Sequence, residues 1–258
     1  MISLSGKIVC ITGASSGIGA ACAEAFAQQG CALLLSARRK DRVDELARTL
    51  TSQYKARVHT FKLDVTKHAE VESTFASLPS EWKKIDILVN NAGLARGLAK
   101  LHEGKIQDWE EMIDTNIKGL LYVTRAVLPG MVERNSGHVI NLGSIAGHQT
   151  YPMGNVYAAS KFAVTGLTRG LKMDLLGTAV RVSSVDPGLV QTEFSQVRFR
   201  GDKERASKTY AGLTPLQATD IAETVLFCAT RPAHVNITEI SIMPTEQASV
   251  GLVHRRTV

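Results

Sequence analysis

A tyrosine and a lysine four residues apart could form an acid–base pair in this 258-residue chain. Tyr157 and Lys161 fall in a stretch with helical periodicity, so both side chains should project from one helix face. A phenol with a pKa of about 10 is a poor acid or base at neutral pH, but a nearby ammonium group favours the phenolate. Ser144 ends the preceding predicted strand and could donate to a substrate oxygen on which charge develops. These three residues predict proton transfer at an alcohol or carbonyl carbon.

A glycine-rich segment links the first predicted strand to the first predicted helix. It reads Thr12-Gly13-Ala14-Ser15-Ser16-Gly17-Ile18-Gly19. Glycines at this place permit a tight turn and let the backbone approach a pyrophosphate at the positive end of the helix. The alternative is a tight glycine turn that binds no ligand. We predict that the segment binds a dinucleotide.

The end of the second predicted strand is basic. It reads Ser36-Ala37-Arg38-Arg39-Lys40, with no acidic residue before Asp41. An NAD site normally places a carboxylate here for the ribose 2′-hydroxyl, whereas a 2′-phosphate requires cations. Arg38 and Arg39 therefore favour NADP(H), one by stacking on the adenine and the other by pairing with the phosphate. A solvated basic turn is the alternative.

Polar and small residues follow the third and fourth predicted strands. Asp64-Val65 closes one strand and Asn90-Asn91-Ala92-Gly93 closes the next. The carboxyl ends of parallel strands form the edge at which ligands bind, and Asp64 could accept from an adenine amino group there. Asn90 and Asn91 are equally typical of turn capping, and the sequence does not separate the two interpretations.

Asn116 is a polar residue in the apolar stretch MIDTNIKGLL. It could be a core asparagine that bends its helix, or the anchor of a water relay behind Lys161. Both interpretations remain open from the sequence.

Short apolar runs alternate with helix-period stretches along the chain. Strands are predicted at 7–13, 31–37, 57–65, 85–93, 138–144, 180–188 and 236–243. Helices are predicted near 17–29, 40–53, 67–78, 105–134, 155–176 and 216–230. Near-continuous apolar strands are typical of a parallel sheet covered on both faces. The expected fold is a single α/β domain with a doubly wound, Rossmann-type parallel sheet of seven strands, and with 195–213 as a long irregular connection.

The composition excludes several classes of protein. With 44% hydrophobic and 21% charged residues, the chain should fold as a globular domain, and no apolar run reaches the roughly 18 residues of a membrane span. Lys7 interrupts the place where a secretory peptide needs its apolar stretch, so a cytoplasmic location is expected. The net charge of +6 weakly favours anionic ligands, but 5% aromatic residues and no basic helix argue against nucleic acid.

The four cysteines, Cys10, Cys22, Cys31 and Cys228, form no CxxC pair. Three of them lie in apolar or alanine-rich segments. Buried reduced thiols are therefore expected, and the sequence predicts no metal site.

Taken together, these motifs resemble the short-chain dehydrogenase/reductase family over residues 4–244. TGxxxGxG covers 12–19, NNAG covers 90–93, and Pro187-Gly188 is followed by Thr192. The matching catalytic residues are Asn116, Ser144, Tyr157 and Lys161.

The resemblance implies a role for each of these residues. Tyr157 would be the general acid/base, Ser144 would position the carbonyl, and Lys161 would bind the cofactor ribose and lower the pKa of Tyr157. Asn116 would support the proton relay. The segment after Pro187-Gly188, about 189–213, would close over the nicotinamide as a lid, ahead of a C-terminal tail at 244–258. A homotetramer is also implied. The implied cofactor-binding residues are Gly13, Ser15, Ser16, Gly17, Ile18, Gly19, Arg38, Arg39, Asp64, Val65, Asn91, Ala92, Gly93, Tyr157, Lys161, Pro187, Gly188, Val190 and Thr192.

Within that family, the chain looks most like the NADP-dependent 3-hydroxy acid dehydrogenases, which oxidise serine, allo-threonine and related acids. The resembling stretches include LPSEWKKIDILVNNAGLARG, TRAVLPGMVER and TEFSQVRF. Sulfoacetaldehyde reductases are similar to the same subgroup and are the nearest alternative. A non-catalytic dinucleotide sensor is the alternative of another class, against which the joint presence of Ser144, Tyr157 and Lys161 argues.

One arginine in the predicted lid could bind a substrate acid group. The segment 196–210 holds five basic residues against Asp202 and Glu204. Arg198 lies six residues after Thr192, close enough to reach the pocket mouth and to grip a carboxylate or sulfonate by two hydrogen bonds. A small anionic substrate is therefore expected. The alternative for this charge run is a solvated helix face.

Overall fold

Parallel strands form one sheet in the computed structural model, which describes residues 2–256. The strands are β1 (Ile8–Thr12), β2 (Ala32–Ala37), β3 (Val58–Lys62), β4 (Ile87–Asn90), β5 (Gly137–Leu142), β6 (Val180–Pro187) and β7 (Glu239–Ile242). Their order is β3-β2-β1-β4-β5-β6-β7, and every pairing is parallel. The predicted doubly wound sheet of seven strands is confirmed.

Helices cover both faces of this sheet. They are α1 (Gly17–Gln28), α2 (Lys40–Tyr54), α3 (His68–Ala76), α4 (Ile106–Ile113), α5 (Leu120–Glu133), α6 (Asn155–Asp174), α7 (Phe194–Arg198), α8 (Lys203–Lys208) and α9 (Ala218–Ala229). One apolar layer includes Phe26 of α1 and Val225 of α9, and the layer on the other face includes Phe75 of α3 and Val127 of α5. Burial of these layers holds the strand ends in fixed positions.

The chain changes direction between β1 and β4, which are neighbours in the sheet. β2 and β3 extend to one side of this point and β5 to β7 extend to the other. In an open α/β sheet, the crevice outside the strand ends at such a switch point is the ligand site. The glycine-rich turn after β1 and the Asn90–Gly93 segment at the end of β4 meet there.

Three details differ from the sequence-based expectations. The segment 195–213 is not a single irregular connection, because it contains α7 and α8. The helix expected over 105–134 is divided by a π-helical turn at Asp114–Gly119. The edge strands β3 and β7 are only partly buried, since each has a neighbour on one side only.

The C-terminal tail packs on the segment after α8 of the same chain. The Arg255 side chain donates to the carbonyls of Thr209 and Ala211, and the Arg256 amide donates to Gly212 O at 2.7 Å. Arg256 also pairs with Glu246 at 3.0 Å. Positions 257 and 258 of the expected tail lie outside the described residues.

All four cysteines are buried and free. Burial raises the pKa of the Cys10 and Cys22 thiols to about 12, which keeps them protonated and poorly nucleophilic. Within residues 2–256, no helix is both long and apolar enough to cross a membrane.

Candidate active site

A cleft of about 790 Å³ lies along the carboxyl ends of β1, β2, β4, β5 and β6. Most of the residues predicted to bind a cofactor line it: Gly13, Ser15, Ser16, Ile18, Arg38, Arg39, Asp64, Val65, Asn91, Ala92, Gly93, Tyr157, Lys161, Pro187, Gly188, Val190 and Thr192. Ser144 and Arg198 line it too. Gly17, Gly19 and Asn116 do not line the cleft, but each packs against a residue that does.

The glycine-rich turn is braced by the end of β4. Asn91 Nδ2 donates to Thr12 O at 2.9 Å and to Gly13 O at 3.1 Å. Gly13 has a φ of +67°, and a Cβ at Gly19 would lie 2.4 Å from Asn91 Nδ2. Any side chain at Gly19 would therefore break the brace. Asn91 therefore both stabilises the glycine-rich turn and lines the cleft, so turn capping and a place at the ligand edge are compatible for this residue.

Gly17 opens α1 and faces the segment after β6. Its φ is +55°, and a Cβ there would lie 3.2 Å from Thr192 Cβ. The N-cap residue Ser16 makes no side-chain capping bond to the first turn of α1. The first amides of the helix therefore remain available for an anionic ligand.

The basic end of the cleft carries Arg38, Arg39 and also Arg42. Arg39 donates to the hydroxyls of Ser15 and Ser16, the latter at 2.8 Å. Its other guanidinium nitrogen pairs with Glu193 at 2.9 Å, and Arg42 pairs with the second Glu193 oxygen at 2.7 Å. Sequence reasoning did not find Arg42 or Glu193, since neither belongs to a recognisable motif.

Asp64 forms a local turn at the end of β3. Its Oδ1 accepts from the Thr66 amide at 3.1 Å and from the Thr66 hydroxyl at 2.8 Å. This turn holds the carboxylate at the wall of the cleft.

Ser144 and Lys161 are buried beside the end of β5. Only 9% of Ser144 and 7% of Lys161 are exposed. Lys161 Nζ donates to Leu142 O at 2.8 Å, and Ser144 Oγ donates to Pro187 O at 3.4 Å. Burial lowers the pKa of the Lys161 ammonium to about 8, and the Asp186 carboxylate opposes this effect.

Tyr157 is in a setting that keeps its hydroxyl protonated. Desolvation, and to a lesser degree Tyr151, raise the pKa of Tyr157 to about 12. Arg198 and the Ser144 hydroxyl act in the opposite direction. The lowering of this pKa expected from Lys161 beside a bound nicotinamide stays a prediction.

Asn116 lies in the π-helical turn and is 2% exposed. Its amide accepts from Leu94 N at 2.8 Å, and donates to Leu94 O at 2.8 Å and to Ser160 Oγ at 3.0 Å. A Cβ on Gly93 would lie within 4 Å of both Asn116 Oδ1 and Lys161 Nζ. Asn116 therefore occupies a distorted helical turn, and its side chain and that of Lys161 both lie close to Gly93. π-Helical turns of this kind are frequent at functional sites.

Arg198 lies over the ring of Tyr157, with its guanidinium carbon 5.2 Å from the ring centroid. The rings of Tyr151 and Phe194 lie at 5.7 Å and 5.9 Å, and Arg198 donates to the Tyr151 hydroxyl. Within the part of the chain that is described, the buried Arg198 Nε has no hydrogen-bond partner. Tyr151 also lines the cleft and was not predicted from the sequence.

Comparison with known proteins agrees with this geometry. The family model described as short chain dehydrogenase matches residues 7–203. The chain belongs to the short-chain dehydrogenase family. Its relatives in the family include the NADP-dependent 3-hydroxy acid dehydrogenase YdfG of Salmonella typhi, which is 52% identical over 250 residues, covering 96% of this chain and 99% of the relative.

Two further members of the short-chain dehydrogenase family are similar to the chain. Sulfoacetaldehyde reductase 2 of Chromohalobacter salexigens is 48% identical over 242 residues, which are 93% of this chain and 95% of that protein. A solved structure described as the closed form of serine dehydrogenase complexed with NADP+ has a TM-score of 0.90 and 50% identity. It covers 96% of this chain and 100% of that one.

Proposed function

We propose that this short-chain dehydrogenase is an NADP-dependent oxidoreductase acting on a small hydroxy acid, such as serine, allo-threonine or a 3-hydroxy acid, or on the matching semialdehyde. The observation that carries the proposal is Arg198, a cation 5.2 Å from the ring of Tyr157 whose buried Nε has no hydrogen-bond partner within residues 2–256. The names of the relatives at 48–52% identity describe the same class of chemistry.

The cleft residues fit NADP(H). The uncapped first turn of α1 can accept a pyrophosphate, and cations for a 2′-phosphate come from Arg38 and Arg39 after β2 and from Arg42 in α2. When bound, the nicotinamide accepts or supplies the hydride. In this assignment, Gly17 and Gly19 shape the turn, while Asp64, Asn91 and the segment from Pro187 to Thr192 form the walls.

Tyr157 is proposed to move the proton. Its hydroxyl would donate to the carbonyl oxygen during reduction and take the proton back during oxidation. With a pKa raised to about 12 in this setting, it is a protonated donor at neutral pH, and oxidation requires added positive charge nearby. Arg198 already contributes in that direction, and a bound nicotinamide cation would add to it.

Ser144 and Lys161 are proposed to act at fixed positions around this proton. The Ser144 hydroxyl would donate to the substrate oxygen as charge develops there. Lys161 would hold the cofactor ribose, and Asn116 would support the relay that returns the proton to solvent. Because both Ser144 and Lys161 are buried, little reorganisation is needed when charge forms.

Arg198 is proposed to bind the acid group of the substrate. A guanidinium can hold a carboxylate or a sulfonate through two hydrogen bonds, which would orient the reacting carbon toward the hydride. The Tyr151 hydroxyl already accepts from this guanidinium and fixes its direction. The same geometry suits sulfoacetaldehyde, so the sulfonate aldehyde is the second candidate substrate.

The test is an NADPH oxidation assay with malonate semialdehyde, sulfoacetaldehyde and uncharged propanal. Arg198→Ala should raise KM for the two acidic aldehydes by about ten- to a hundredfold, which corresponds to hydrogen bonds to a charged group. The KM for propanal should change little. The acidic aldehyde with the higher kcat/KM in the unmodified protein shows whether the preferred substrate carries a carboxylate or a sulfonate.

Lys208→Ala is the matched control. Lys208 lies in the same segment, pairs with Glu204 at 2.7 Å and lines neither the cleft nor the small pocket beside it that Tyr157 and Arg198 also line. It should leave all three KM values unchanged. If Arg198→Ala weakened propanal as much as the acidic aldehydes, Arg198 would not be an acid anchor and the hydroxy-acid assignment would lose its physical basis.

The proposed lid and oligomeric state follow the resemblance, and the proposed location follows the sequence composition. Residues 189–213 would act as a lid, the chain would assemble as a homotetramer, and it would work in the cytoplasm. The lid is supported by the position of Thr192 against Gly17 and of Arg198 against Tyr157.

A further inference from the structure

A buried acidic residue stands directly behind the catalytic strand end. The Asp186 side chain at the end of β6 is fully buried. Its carboxylate accepts from the Ser184 hydroxyl at 2.5 Å and faces His148 Nε2 at 2.8 Å. A buried carboxylate is costly unless it is hydrogen-bonded or paired, and Asp186 has two such contacts.

His148 connects Asp186 to the surface. Its Nδ1 lies 3.8 Å from Glu239 on β7, and Glu239 in turn pairs with Arg169 of α6 at 3.1 Å. The donor atoms of His148, Asp186 and Glu239 lie within 4.8 Å of one another. However, the two ring nitrogens face different carboxylates, so one metal ion could not use all three residues in this arrangement. The imidazole instead bridges a buried and a partly exposed carboxylate.

Asp186 packs against the peptide that carries two active-site groups. A Cβ on Gly143 would lie 1.8 Å from Asp186 Oδ1, so only glycine leaves room for this carboxylate. The residue before Gly143 is Leu142, whose carbonyl accepts from Lys161. The residue after it is Ser144. The carboxylate thus fixes a short segment that carries two groups: the Leu142 carbonyl, which holds Lys161, and the Ser144 hydroxyl.

The charge of Asp186 also acts on Lys161. Burial lowers the pKa of Lys161 to about 8, and Asp186 raises it again. Burial and the charge of Glu239 raise the pKa of Asp186, while Ser184 and His148 lower it. The titratable and charged groups facing this pair are His148 in the segment between β5 and α6, Glu239 on β7, and Arg169 on α6.

We propose that Asp186, held in place by His148 and Ser184, is a positioning residue for the reaction: its buried carboxylate fixes the Leu142–Ser144 segment and places a negative charge behind the carbonyl that holds Lys161. The inference rests on the proposed function for the roles of Ser144 and Lys161. It adds a group that touches neither substrate nor cofactor and acts through the two residues that do.

The test is a titration of Lys161 by NMR in protein labelled with ¹³Cε-lysine, without added cofactor. The Lys161 signal is identified by its loss in Lys161→Arg. In Asp186→Asn, the titration midpoint of Lys161 should fall by about one pH unit, because a nearby opposite charge has been removed. In Asp186→Glu, which keeps the charge, the midpoint should stay within a few tenths of a unit of the unmodified protein.

Glu239→Gln is the matched control, because it removes an equal charge on the far side of His148. It should move the Lys161 midpoint much less than Asp186→Asn does. Asp186→Ser, whose hydroxyl can still bond to His148, serves as the neutral variant if the asparagine protein does not fold. An unchanged midpoint in the neutral variant, or an equal fall in Glu239→Gln, would overturn the proposal.

Activity separates this inference from the proposed function. The alkaline limb of the kcat/KM profile with NADPH should move to lower pH in Asp186→Asn, in the same direction as the Lys161 midpoint. If the unmodified protein reduced no aldehyde with NADPH, the proposed function would fail while the Lys161 titration still decided the role of Asp186.

Discussion

The two ends of the cleft are held together in different ways. At the catalytic end, Ser144, Lys161 and Asn116 are each less than 10% exposed and are fixed by buried hydrogen bonds to backbone or neighbouring side chains. At the phosphate end, Arg39 and Glu193 form an ion pair whose side chains are 42% and 38% exposed.

This difference makes the catalytic end rigid, whereas the contacts at the phosphate end can be exchanged for others. Buried polar contacts have no competing water, so breaking one leaves an unsatisfied group and is costly. Exposed ion pairs contribute about 0 to 1 kcal/mol and are readily replaced. The residues proposed for catalysis therefore lie where the side chains are held by buried contacts, and those proposed for cofactor recognition lie where the contacts can be exchanged.

The largest effect is expected at the rigid end. Tyr157→Phe removes the hydroxyl proposed to transfer the proton, so kcat should fall by about a hundred- to ten-thousandfold. NADPH affinity, measured by fluorescence titration, should remain within a few fold of the unmodified protein. Tyr54→Phe is the control, since Tyr54 donates to Glu24 and does not line the cleft. A Tyr157→Phe protein that kept most of its kcat would exclude this residue as the acid/base.

A smaller and more selective effect is expected at the phosphate end. Replacing Arg38 and Arg39 together by alanine should weaken NADPH binding by about ten- to a hundredfold, because charged hydrogen bonds to the 2′-phosphate are lost. NADH binding should be nearly unchanged, since it lacks that phosphate. Arg48→Ala on α2, away from the cleft, should alter neither affinity. Equal losses with both cofactors would show that the arginines do not recognise the phosphate.

The same contrast explains what could be predicted from the sequence. β1 and β2 are fully buried, and continuous apolar runs such as IVCIT identify them without ambiguity. The spacing of Tyr157 and Lys161 on α6 is local, so helical periodicity alone places both on one face. The rigid end is built from such local patterns.

Contacts across the cleft leave no comparable local pattern. Glu193 meets Arg39 and Arg42 from more than 150 positions away in the chain, and Tyr151 meets Arg198 from 47 positions away. A local signal for α8 did exist, because the Asp202 side chain accepts from the Arg205 amide at 3.0 Å and caps the helix. The connection 195–213 is nevertheless expected from the sequence to be irregular, with a solvated helix face only as the alternative for its charge run.

The smallest effect on cofactor affinity is expected from a change at Glu193. It tests whether the Glu193–Arg39 ion pair is displaced when NADP+ binds. Arg42 and Arg39 hold the pKa of the Glu193 carboxyl below its usual range, so at neutral pH it is an anion placed on Arg39, one of the two arginines proposed for the 2′-phosphate. A phosphate must displace this carboxylate from Arg39 in order to bind there.

Glu193→Gln should therefore strengthen NADP+ binding by about two- to fivefold, the range expected when exposed ion pairs of this kind no longer compete. NAD+ affinity should not change, because NAD+ has no 2′-phosphate to compete for Arg39. Glu204→Gln is the matched control, since Glu204 lies in the same segment but pairs with Lys208 at 2.7 Å. Calorimetric titration measures all three proteins. If Glu193→Gln weakened NADP+ binding instead, the carboxylate would be part of the cofactor site, and the phosphate end would be as fixed as the catalytic end.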